Sequence, residues 1–103
     1  MRVMLKVTIP VETGNAAVRA GKLGSIIQSI LADLKPEAAY FTDYDGKRCG
    51  FIIVNLRDAS QIPAMAEPFF LALNARLECH VVMLPEDLHK AADDIAAVAK
   101  KYG

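Results

Sequence analysis

Alternation opens the chain: Val3, Leu5, Val7 and Ile9 are apolar, and Arg2, Met4, Lys6 and Thr8 fall between them. A period of two over residues 2–10 predicts a strand with one apolar and one mixed face, stopped by Pro10, which has no N–H for a ladder. The period then lengthens. Leu23, Ile26, Ile27, Ile30, Leu31 and Leu34 lie on one helical stripe, in a helix predicted to start near Asn15 as N-cap and to end at Lys35-Pro36. Gly21 and Gly24 weaken its first half and mark a break or a close backbone contact. Next, Ala38–Tyr44 and Arg48–Leu56 read as a hairpin about the Asp45-Gly46 turn. A second helix begins around Asp58–Ser60 with Ser60 as N-cap and Pro63 in its first turn, and stops at Asn74; Pro68 predicts a kink or shortening. Arg76–Leu84 is the fourth strand. The last helix opens at Pro85 and carries the stripe Leu88, Ala91, Ala92, Ile95, Val98, Ala99 and Tyr102.

Two strands break the rule that an antiparallel strand with one wet face alternates. Phe51-Ile52-Ile53-Val54 and Val81-Val82-Met83-Leu84 are apolar at four successive positions, so both faces of the sheet should be covered. Helices from the same chain cover one face. A second copy of the sheet is the simplest cover for the other, giving a two-fold dimer that the C-terminal helix reinforces by crossing to the partner.

The order β-α-β-β-α-β plus a C-terminal helix is the split βαβ, ferredoxin-like arrangement of an α+β fold, with a four-stranded antiparallel sheet over residues 1–103 as one domain. With its doubly apolar strands, the chain resembles the dimeric α+β barrel group of ferredoxin-like proteins. That group includes cofactor-independent monooxygenases, muconolactone-isomerase-like enzymes, haem-degrading enzymes and small proteins without an assigned role. The stretches Lys35-Pro36-Glu37-Ala38-Ala39-Tyr40-Phe41 and Ser60-Gln61-Ile62-Pro63-Ala64-Met65-Ala66-Glu67-Pro68 also look like those of small bacterial proteins. The resemblance is one of topology and pattern and assigns no reaction.

Composition narrows the function classes. With 53% hydrophobic and 23% charged residues the 103-residue chain is a folded domain, not a disordered one. Twelve basic and twelve acidic residues cancel, which removes the electrostatic basis for a nucleic-acid partner. Two cysteines thirty positions apart, Cys49 and Cys79, suit reduced core thiols rather than a disulfide framework or a zinc ribbon. No apolar run approaches the roughly 20 residues that span a bilayer. The opening Met1–Lys6 lacks the apolar core of a signal peptide. The expected setting is cytoplasmic, with no membrane partner.

Chemistry-bearing residues are few. Glu78 and His80 alternate on one face of the fourth strand, roughly 7 Å apart, where Glu78 would orient His80 as a general base near neutral pH, or simply form a strand-end salt bridge. Cys79 and His80 point to opposite faces and cannot both grip one ion without a bulge, and a site built on His80 and Glu78 has no further ligands spaced to complete it, so no metal site is expected. Lys6, on the mixed face of the first strand, would attract an anionic ligand or pair with Glu78 across the sheet. Tyr40, Asp43 and Tyr44, with Lys47 and Arg48, are either ligand-orienting groups or the polar dressing of an edge strand. Gly21-Lys22-Leu23-Gly24-Ser25 lacks Walker spacing, and His89 reads as surface.

These features favour a homodimer that binds a small hydrophobic metabolite between sheet and helices, without a cofactor. Met4, Lys6, Tyr40, Phe51 and Ile53 are the expected ligand contacts, beside His80. One alternative is a cofactor-independent monooxygenase or isomerase with His80 as base and Glu78 as its partner. The other is a dimerisation module without a pocket.

Overall fold

A computed structural model describes all residues from Met1 to Gly103. The elements run β1 (Arg2–Ile9), α1 (Val11–Arg19), α2 (Leu23–Leu34), β2 (Ala38–Tyr44), β3 (Lys47–Asn55), α3 (Ile62–Leu73), β4 (Arg76–Val81), α4 (Pro85–Lys90) and α5 (Ala92–Tyr102). The four strands form one antiparallel sheet in the order β2-β3-β1-β4, and five helices accompany it.

Register decides which residues share a face. Val3, Leu5 and Val7 of β1 pair with Val54, Ile52 and Gly50 of β3, and with Val81, Cys79 and Leu77 of β4. This face lies under α2 and α3. Val3, Leu5, Val7, Ile9, Ile52 and Val54 are buried there together with Ile30 of α2 and Met65, Phe69 and Leu73 of α3. The α2 stripe read from the sequence packs on this core through Leu23, Ile26, Ile27, Leu31 and Leu34. In α3 the buried positions 65, 66, 69 and 73 recur at helical spacing, which presents one stripe to the sheet.

The opposite face carries Met4, Lys6, Phe51, Ile53, Ala38, Tyr40, Glu78 and His80 in adjoining rows. Met4, Phe51 and Ile53 are half-buried, and Tyr40 is 65% exposed. No helix covers this face. The doubly apolar run Phe51–Val54 is thus satisfied on one side only by its own chain.

Several boundaries differ from the sequence reading. The helix expected from Asn15 starts four residues earlier, directly after Pro10, and Asn15 sits inside it rather than capping it. Gly21 (φ +68°) breaks it into α1 and α2, a conformation that glycine adopts without the cost a Cβ would impose. Asp58, not Ser60, is the N-cap: its carboxylate accepts from the Ser60 N–H at 2.8 Å, and Gln61 Oε1 accepts from the Asp58 N–H at 3.1 Å. The short 3-10 turn Ala59–Gln61 then leads into α3, which runs through Pro68 to Leu73 without being shortened there. Asn74 ends α3 in the left-handed conformation as expected (φ 48°). β4 stops at Val81, leaving Met83 and Leu84 outside the sheet and exposed.

The last helix is two, α4 and α5, joined at Ala91. They project from the body. The chain measures 58 × 28 × 20 Å with a radius of gyration of 17.3 Å, against about 13 Å for a compact domain of this length. Leu88, Ile95, Val98 and Tyr102 are 53%, 50%, 56% and 76% exposed. The amphipathic stripe exists, but its own chain leaves it bare.

Candidate functional site

Between the sheet and the helices lies a cavity of about 220 Å³. Val7, Ile9, Gly50 and Ile52 form its floor, Leu23 and Ile27 of α2 one wall, and Phe69 and Leu73 of α3 another, with Phe41, Thr42, Arg48 and Cys49 at the β2–β3 side. Nine of the twelve lining residues are hydrophobic, and Arg48 is the only charged one. Gly50 makes room for the Phe41 ring: a Cβ there would lie 3.1 Å from Phe41 Cε1.

Arg48 reaches the cavity from β3, on the core face, opposite Ile9 and Asp43. Its Nη1 donates to Asn15 Oδ1 of α1 at 3.0 Å. The guanidinium lies close over Gly14: a Cβ at that position would lie 2.6 Å from Nη1 and 3.2 Å from Cδ. No salt bridge neutralises the guanidinium: the three ion pairs of the chain are Arg2–Glu37, Lys6–Glu78 and Lys47–Asp45.

The residues singled out from the sequence sit elsewhere. Met4, Lys6, Tyr40, Phe51 and Ile53 share the open sheet face, and none of them lines the cavity between sheet and helices. Alternation is the reason: Phe51 and Ile53 point away from the helices that Ile52 and Val54 contact. Glu78 and His80 do occupy the same face. Glu78, however, pairs with Lys6 at 3.5 Å, directly across the β1–β4 ladder, while His80 is exposed at the sheet edge. Lys6 also lies 3.1 Å from the centre of the Tyr44 ring. Burial alone would lower its pKa, but the Tyr44 phenol and the Glu78 carboxylate outweigh that and hold it above the usual lysine range.

A second, polar recess of about 330 Å³ is lined by Lys6, Thr8, Pro10, Tyr44, Asp45, Lys47, Asn74, Arg76 and Glu78. Its charges largely pair off, Lys6 with Glu78 and Lys47 with Asp45 at 3.8 Å. Both cysteines are unpaired thiols, Cys49 buried and Cys79 exposed. No group of three or more His, Cys, Asp or Glu side chains is arranged to hold a metal ion, and no helix is long and apolar enough to cross a membrane.

Sequence reasoning missed Arg48 and Asn15 as partners, and Leu23, Ile27, Phe69 and Leu73 as cavity walls. The helical stripes marked α2 as core-facing, yet a void inside a core leaves no periodic trace. Compared with known protein families, curated proteins and solved structures, the chain matches none.

Proposed function

We propose that this protein is a homodimer whose chains each hold a small apolar molecule in the cavity between sheet and helices. The observation that carries the ligand reading is the cavity itself, walled by Val7, Ile9, Leu23, Ile27, Ile52, Phe69 and Leu73. Apolar cavities of about 150 Å³ stay dry and take up benzene. The cavity is partly open to solvent, but its lining offers water few polar partners, so an apolar ligand displaces water from it at little cost. The void is also smaller than the roughly 300 Å³ at which drug-sized sites begin, so the ligand is a compact molecule.

The dimer reading rests on uncovered apolar surface. The strand order fits a ferredoxin-like sheet, and two such sheets face to face make a dimeric α+β barrel. That arrangement covers Met4, Phe51 and Ile53 with a second copy of themselves, and α4–α5 lies across the partner. Large exposed apolar patches of this kind mark interaction surfaces in soluble proteins. Two unpaired thiols suit the reducing cytoplasm.

Native mass spectrometry of the purified protein, alone and with toluene monitored in parallel by methyl proton NMR, tests both halves. The expected result is a dimer mass and toluene-dependent shifts confined to the methyl groups lining the cavity, those of Val7, Ile9, Leu23, Ile27, Ile52 and Leu73. A monomer at all concentrations overturns the assembly, and unshifted methyl signals overturn the ligand site.

A further inference from the structure

We infer that the polar recess at one end of the open sheet face is a second site, which takes a small hydroxylated carboxylate. Lys6 of β1, Lys47 of β3 and Arg76 of β4 line it, so three strands each bring one cation to the same space. Asp45 of the β2–β3 turn and Glu78 of β4 bring two carboxylates. Three positive charges against two negative ones leave one cation in excess, in a chain whose net charge is zero. The excess sits on Arg76, which takes part in none of the three ion pairs of the chain. Glu78, two residues along the same strand face, is taken by Lys6 instead. The two pairs that do form are loose. Lys6–Glu78 spans 3.5 Å and Lys47–Asp45 3.8 Å, against about 2.7–2.9 Å for a charge-assisted hydrogen bond, and the Asp45 side chain is 81% exposed. Such pairs cost little to open, so their charges remain available to a ligand.

The ligand class follows from the mixture of groups. Guanidinium and ammonium only donate, carboxylates only accept, and the Thr8 and Tyr44 hydroxyls do both. A bare anion would meet Arg76 but would face Asp45 and Glu78 with nothing to donate. A neutral polyol would satisfy the carboxylates and leave the guanidinium without a counter-charge. A molecule with one carboxylate and several hydroxyls meets both demands. Its carboxylate matches the planar fork of Arg76 through two parallel hydrogen bonds, and its hydroxyls donate to Glu78 and Asp45. One excess cation suits a monoanion rather than a doubly charged phosphate. The volume of about 330 Å³ falls at the small end of ligand sites. Thr8, Tyr44 and Arg76 stand further along the sheet than Met4, Phe51 and Ile53, so the site does not depend on the apolar rows that the dimer reading covers.

Calorimetric titration with gluconate, sorbitol and acetate tests this: gluconate carries both kinds of group, sorbitol only the hydroxyls, acetate only the carboxylate. Gluconate should bind about tenfold tighter than either of the others, since hydrogen bonds to charged groups are the strong ones. Arg76 is exposed, so Arg76→Gln keeps the fold. That variant should lose about tenfold in gluconate affinity and bind sorbitol like the parent. Gluconate that binds no better than sorbitol, or no better than acetate, overturns the ligand class. Equal gluconate affinity in the parent and Arg76→Gln overturns the site. Toluene uptake by the apolar cavity is independent of these outcomes, so the two sites stand or fall separately.

Discussion

Replacing Ile95 by aspartate separates assembly from folding. Ile95 lies at the centre of the α5 stripe, 50% exposed, in an arm that no other element of its own chain packs against extensively apart from α4. Full burial of an isoleucine is worth about 1.5–3 kcal/mol, so covering the exposed half contributes about 1 kcal/mol per copy. A two-fold dimer contains the position twice, which gives about 2 kcal/mol lost. Each new carboxylate also lacks a partner in an apolar contact, at about 1–3 kcal/mol apiece. The sum is about 4–8 kcal/mol per dimer, a weakening of about a thousandfold or more. Folding of the body should hardly change, because the buried cluster is built from β1, β3, α2, α3 and their flanks, without α4 or α5. Helix propensity differs little between the two residues, and an aspartate in the first turns of α5 joins Asp93 and Asp94 near the positive end of the dipole. Sedimentation velocity over a concentration series reads the dissociation constant, and thermal unfolding of the dissociated variant reads the body. Ala97→Asp, on the far side of α5, serves as the control and should dimerise like the parent. An unchanged dissociation constant for Ile95→Asp would refute the claim that this stripe is covered by the second copy.

Other substitutions probe the core, the cavity and the cap. Leu5→Ala removes a fully buried side chain at the centre of the sheet; urea unfolding should show a loss of about 2–5 kcal/mol, and a loss below about 1 kcal/mol would contradict its place in the core. Gly50→Ala puts a methyl group against the Phe41 ring, whose 55% exposure lets it swing outward; the variant should stay folded by circular dichroism yet lose toluene binding by NMR. Asp58 is held below the ordinary carboxylate range, chiefly by the backbone N–H of Ser60 and then by its side chain. A depressed folded pKa means that its contribution is present above the unfolded value of about 3.9 and is lost as pH falls through the folded value. The urea midpoint of the parent should therefore fall in that acid range more steeply than that of Asp58→Asn, and equal pH profiles would exclude the cap as the cause.

How much was legible in advance differs between the parts. The Val3–Ile9 alternation, the Asp45-Gly46 turn and the 23–34 stripe each predict an element that is present, because a period of two or 3.6 is a local property of the chain. Boundaries that depend on capping were less legible: Asp58 and Ser60 both suit an N-cap, and only the backbone path selected Asp58. Glu78 and His80 share a face, as strand alternation requires, but their chemical pairing does not follow from it. Lys6 lies directly across the ladder from Glu78, and a lysine at that distance takes the carboxylate away from a histidine two residues along.

The candidate site shows the same division more sharply. From the sequence alone come four strands, an apolar core large enough for one domain, and one strand, β3, with apolar residues on both faces; the second run expected to do so, Val81–Leu84, lies almost wholly outside β4. Only tertiary structure decided that Phe51 and Ile53 face away from the helices while a cavity opens beside Ile52, and that Arg48 meets Asn15 across 33 positions of chain. It also decided that α4 and α5 leave the body. The physical reason is range: hydrophobic periodicity reports which side of an element avoids water, whereas a void, an unpaired guanidinium and a bare helical stripe are set by how several elements meet.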